Sequence, residues 1–160
     1  MTESGGREPR RPAVTKAAGR GKGSSRCSDP PPDGLLRAID QFNRGEYWEQ
    51  HETLEDIWIE EADPVRHLYQ GILQVGVAFH HWRRSNFRGA DLLLERGLTY
   101  LQPFRPSCMG VDVERLVMEA AACHAELRRL GPRRMALFDP ARFPRVHLVG
   151  ESETTRDISE

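Results

Sequence analysis

Nowhere in these 160 residues is there an apolar run of 18, so no transmembrane helix and no membrane partner are expected. The N-terminus lacks the apolar stretch that a secretory signal needs. Cysteine is scarce. Cys27, Cys108 and Cys123 form no C-x-x-C pair, and their odd number argues against a disulfide framework. These absences together point to a cytoplasmic protein in a reducing compartment. An excess of one charge is missing too: the formal net charge is −1, which gives no basis for a strongly basic nucleic-acid surface over the whole chain. What remains is long enough for one domain with a real core.

Local absences organise the chain. Residues 1–33 carry almost nothing apolar but have Gly, Ser, Pro and the basic residues Arg7, Arg10, Arg11, Lys16, Arg20, Lys22 and Arg26. Such a segment cannot bury enough surface to offset its ordering entropy, so a disordered basic arm is expected, able at most to bind anions or nucleic acid weakly. Pro30-Pro31-Pro32 closes it, and Asp33 is placed to cap a helix over 34–43. Gly45 breaks that helix and a second follows over 46–61; Asp63-Pro64 starts a third, over 64–84. Asn86 caps a fourth over 87–102, and Asp112 a fifth over 113–130 that stops at Gly131-Pro132. Residues 133–149, with Phe138, Phe143, Pro140 and Pro144, read as an extended strap, and 150–160 as a polar, frayed end. The fold class is therefore all-α: a compact antiparallel bundle of about five helices with a C-terminal extended strap, the domain running over 34–149.

The third helix lacks charge altogether between His67 and Trp82. It is apolar over most of its circumference, which marks it as the central buried helix. One stripe on it is polar but uncharged: His67, Gln70, Gln74 and His81. A wetted face would carry Lys or Glu, so neutral Gln and His suggest a seam that meets other polar groups inside the bundle.

Chemistry is concentrated in the second helix. At about 100° per residue, Tyr47, His51, Leu54 and Trp58 fall on one stripe, with Glu55 beside it one turn after His51. Residues four apart on a helix are neighbours, so His51 and Glu55 can ligate one divalent metal ion or hydrogen-bond each other. His81 or His67 would complete a set of two histidines and a carboxylate, and Glu52 is a weak candidate for a general base in a hydrolytic site. Two plainer readings compete. The cluster could be a non-enzymatic pocket of His51, Glu55, Gln70 and Gln74 walled by Tyr47, Trp48 and Trp58. It could equally be a buried hydrogen-bond network that sets how two helices pack. If the polar seam faces the second helix, His51 and Glu55 meet Gln70, Gln74 and His81. His124, on the fifth helix, reads as a satisfied boundary histidine rather than a ligand.

The order F-N-x-G-x-Y-W-E-x-H-E-x-L-E-x-x-W over 42–58, then Gln70-Gly71-x-x-Gln74, then Asn86-x-x-Gly89-Ala90, resembles the domain of unknown function family 309. The resemblance covers roughly residues 35–105. It implies a small all-helical bacterial or archaeal domain and a metal-binding role for His51 and Glu55, with Trp58 completing the motif. It implies no activity. The expected partners are a small molecule or a metal ion, and a homo-oligomer is compatible with everything above.

Overall fold

The computed structural model describes residues 23–151. Its helices are α1 (Asp33–Asn43), α2 (Tyr47–Glu60), α3 (Arg66–Arg83), α4 (Phe87–Leu101) and α5 (Val113–Leu130). Their ends follow from local chemistry. Asn86 and Asp112 cap α4 and α5, each side chain accepting a backbone N–H at 3.0 Å, from Gly89 and Arg115 respectively. Gly45 and Gly131, at φ 78° and 75°, let the chain leave α1 and α5 in a conformation that side-chain-bearing residues avoid. Two expected starts shift slightly. Pro32, not Asp33, precedes α1. At α3 the Asp63 carboxylate accepts the Val65 N–H at 2.8 Å, so Pro64 and Val65 form a turn before the helix proper.

Each helix packs on its predecessor, and α3 is flanked by α2 and α4. As its uncharged sequence predicts, α3 is the central helix: Leu68, Ile72, Val75, Ala78 and Phe79 are wholly buried. Glycine sets how closely α4 approaches it. A Cβ on Gly97 would lie 3.0 Å from the Gly71 carbonyl oxygen and 3.1 Å from the Val75 nitrogen, which are backbone atoms that cannot rotate away. None of the described helices is long and apolar enough to cross a membrane.

Between α4 and α5 the chain forms a small antiparallel hairpin, β1 (Ser107–Cys108) and β2 (Val111–Asp112), pairing Ser107 with Asp112 and Cys108 with Val111. Met109 and Gly110, both at positive φ, make its two-residue turn. The strap after α5 carries 3-10 turns at Met135–Leu137 and Pro140–Arg142. It then runs extended to an antiparallel bridge between Leu148 and Val111. Phe138, Phe143 and Val146 are buried along it. The Asn43 side chain holds it from α1, accepting the Val146 N–H at 2.7 Å and donating to the Val146 carbonyl at 2.9 Å.

One expectation is overturned. The odd cysteine count predicted no disulfide, but Cys27 and Cys108 are bonded, 81 positions apart in sequence. The count misled because the third cysteine, Cys123, is buried in the core as a free thiol. The cysteine argument for a reducing compartment falls with it. The bond ties residues 23–32 to the hairpin. Met109 N–H donates to the Cys27 carbonyl at 2.8 Å, Ser24 Oγ donates to Asp63 at 2.6 Å, and Arg26 pairs with Glu61 at 2.7 Å. The rest of the basic arm, residues 1–22, and the acidic end, 152–160, lie outside the described residues.

Candidate functional site

On α2 the stripe of Tyr47, His51, Leu54 and Trp58 is not uniformly inward. Tyr47 and Leu54 are buried, whereas His51 and Trp58 sit at the edge of the helix interface. The inward face is rotated toward Gln50 and Thr53, which are 0% and 6% exposed. Gln50 explains the rotation. Its Nε2 donates to the Leu73 carbonyl of α3 at 3.2 Å and to the Tyr47 carbonyl at 3.1 Å, and its amide lies against the bare Cα of Gly76. A buried amide serving two backbone carbonyls is a structural tie between α2 and α3. Polar residues of this kind are assigned to solvent by hydropathy alone, so periodicity does not reveal it. The clue that could have is the charge-free helix opposite, whose Gly76 leaves room for a side chain.

Tyr47 belongs to the core. Its ring meets Phe42, Phe79 and Phe143 at centroid distances of 5.4–6.3 Å. Burial pushes its hydroxyl up to about 12, against the opposing pull of Arg83, whose guanidinium sits 4.8 Å over the ring. Trp58 is capped by the Arg66 guanidinium at 4.6 Å. Trp48 is 45% exposed and stands between two imidazoles, His51 at 4.7 Å and His80 at 5.4 Å. His80, the residue on α3 that faces α2 here, escapes a sequence reading that follows the His81 stripe.

His51 Nε2 lies 3.7 Å from Glu55 Oε1, within ion-pair range but longer than a hydrogen bond. Its Nδ1 is shielded from solvent and has no partner among the described residues. Glu52 is exposed, one residue away and on another face. His81 does not join this pair. Its Nδ1 takes a hydrogen bond from the Asn86 amide at 3.2 Å, which assigns its remaining proton to Nε2, and its ring lies over Gly89 of α4. Burial, then His81 and the nearby Arg84, lower the pKa of His80; burial, then Arg84, lower that of His81. Among the described residues no group of three or more His, Cys, Asp or Glu is arranged to hold a metal ion.

The polar seam of α3 turns toward α4. His67 stacks on Tyr100 at 5.4 Å. Gln74 lines a cleft of about 550 Å³ with Leu92, Glu95, Arg96, Thr99 and Tyr100. Gln70, half-buried, lies one turn before it. His51 and Glu55 would meet Gln70, Gln74 and His81 only on the condition that the seam faces α2; Gln74 and His81 lie instead toward α4, and an α3 that is apolar almost all round gives no sign of which neighbour each stripe will face. His124 is the boundary histidine its position suggests, sharing Asp91 Oδ1 with Arg128, each at 2.7 Å. Asp91 is held below the usual carboxylate range, first by the Arg128 hydrogen bond.

Comparison with known proteins supports the family resemblance and adds no activity. An uncharacterised Bacillus subtilis (strain 168) protein, YpuF, is 36% identical over 75 residues, which are 45% of this chain. The same match covers 43% of YpuF, so the chain spans less than half the length of that relative. No solved structure gives a significant match. Residues 35–93, which hold most of α1, all of α2 and α3, the start of α4, the His51–Glu55 pair and Gln74, match the family described as a domain of unknown function, DUF309.

Proposed function

We propose that this helical domain is a non-enzymatic small-ligand-binding module whose site is the cleft between α3 and α4. One observation carries the reading. Gln74 lines this cleft, and its Oε1, turned away from solvent, accepts no hydrogen bond among the described residues. A shielded acceptor without a donor costs on the order of 1–3 kcal/mol, a cost removed when the amide turns toward the cleft and meets a ligand N–H or O–H there. Leu92 and Tyr100 offer apolar contact, and Thr99, Glu95 and Arg96 supply the few polar groups that orient a ligand. The matching ligand is a small ring compound with one hydrogen-bond donor. A thermal-shift series of neutral heteroaromatic amides and phenols is expected to raise Tm with at least one compound, and Gln74→Leu to abolish the rise. A series with no hit, or a rise that survives Gln74→Leu, rejects the site.

A metal site on α2 is the second reading, favoured by the His51–Glu55 approach at 3.7 Å. The pair supplies two donors one turn apart. Asn86 engages His81 through Nδ1, and among the described residues no third His, Cys, Asp or Glu joins this pair, so a third donor is needed to complete a metal centre. Elemental analysis separates the cases: stoichiometric divalent metal in the wild type that disappears in His51→Ala, with the fold retained, supports the metal reading. Equal metal content in both proteins removes it.

A further inference from the structure

A second cleft, also of about 550 Å³, lies between α5 and the strap and shares no residue with either site above. Charge pairing within it is selective. Its two carboxylates are already matched: Glu119 to Arg115 at 3.0 Å, and Glu126 to Arg129 through both oxygens. Glu126 accordingly sits below the usual carboxylate range, chiefly through Arg129. Two guanidinium groups on the strap are left over. Arg142 and Arg145 are exposed, and among the described residues neither forms an ion pair with a carboxylate, although Arg142 is near enough to Glu126 to help lower its pKa. Arg142 is oriented rather than loose, its guanidinium 4.7 Å over the Phe138 ring, which leaves its in-plane N–H groups free to grip an anion.

Part of the wall shared with these cations is apolar. Phe138, Phe143 and Cys123 line it and are buried to within 6% exposure. Burial pushes the Cys123 thiol up to about 11, so at neutral pH it is uncharged and behaves as a small apolar group. Two strap cations without an ion pair, beside an apolar patch, define the complementary molecule.

We propose that this cleft binds a small amphipathic anion: an aryl or alkyl group bearing a carboxylate or phosphate, its head on Arg142 and Arg145 and its apolar end against Phe143 and Cys123. Charge-assisted hydrogen bonds from Arg to such a head exceed those to a neutral hydroxyl, and a planar guanidinium can make two at once. The apolar end distinguishes this ligand from a free inorganic anion.

Calorimetric titration at low salt tests it, using phenyl phosphate, phenylacetate, inorganic phosphate and benzyl alcohol on the full chain. One of the two aryl anions is expected to bind about tenfold or more tighter than benzyl alcohol, since about 1.4 kcal/mol of head-group interaction gives that factor. It should also bind more tightly than inorganic phosphate. Which aryl anion wins tells phosphate from carboxylate. Arg142→Gln/Arg145→Gln should lose the advantage over the alcohol. Arg145→Gln alone, which disturbs no ring stacking, serves if the double variant misfolds, and should weaken the anion severalfold. Equal binding of alcohol and anion, unchanged affinity in the variants, or no heat from either aryl anion at about 10 mM overturns the proposal.

Discussion

Removing the Cys27–Cys108 bond is expected to cost this protein up to about 4.5 kcal/mol of stability. The bond joins positions 81 residues apart, and the chain-entropy account makes the effect of a cross-link grow with the loop it closes, to that order for a loop of this length. It is an upper figure because part of the clamp is not covalent. The Met109–Cys27 backbone hydrogen bond, the Ser24–Asp63 hydrogen bond and the Arg26–Glu61 pair remain when the sulfurs part. Ion pairs at such half-exposed positions contribute little, so they hold residues 23–32 locally without replacing the loop constraint. Urea unfolding of the oxidised protein beside Cys27→Ser/Cys108→Ser should show a midpoint shift corresponding to at least about 2 kcal/mol, the low end of native disulfides. Thiol titration in denaturant gives the independent check: one reactive thiol, Cys123, in the oxidised chain and three after reduction. Coincident unfolding curves, or three thiols without reductant, would dispose of the clamp.

That bond also shows where reading the sequence stops. Helices were legible because their signals are local. The Asn86 and Asp112 caps, Gly45 and Gly131 each act within one turn, and the absence of charge from His67 to Trp82 placed α3 at the centre. Pairing Cys27 with Cys108 depends instead on a hairpin of two-residue strands, too short for any alternation to show. Its turn puts Met109, not the Asn or Gly usual there, at positive φ; that residue is wholly buried and takes the Tyr69 hydroxyl on its sulfur at 3.6 Å. The candidate site divides in the same way. The His51–Glu55 approach follows from i, i+4 geometry and is present. Whether Gln74 and His81 would face α2 or α4 is a property of how three helices cross. That is set by Gly71 against Gly97 on one side and Gln50 against Gly76 on the other. No one of these residues carries the answer alone.

Phe79→Ala should be among the most damaging single core substitutions, losing about 3–5 kcal/mol, because a wholly buried aromatic leaves both its transfer energy and a cavity behind. The position matters more than the residue type. Phe79 stacks on Phe143 of the strap at 4.5 Å, and also meets Tyr47 at the start of α2 at 5.8 Å and Trp82 at 6.3 Å. The strap, α2 and α3 thus meet at one ring. Trp82 extends the contact by donating its indole N–H to the Met135 carbonyl at 3.1 Å and packing on Phe138 at 4.8 Å, so a cavity at Phe79 undercuts the strap at both phenylalanines. Phe79→Leu, which keeps most of the apolar volume, should lose clearly less. Guanidinium unfolding of the two variants measures the difference. A loss below about 1.5 kcal/mol for Phe79→Ala would mean that the strap closes over the gap and is not held by this ring. The same packing links stability to binding. Phe143 lines the anion cleft, and a strap released from Phe79 carries Arg142 and Arg145 with it. Phe79→Ala protein that is still folded should therefore bind an aryl anion more weakly, although Phe79 does not line that cleft.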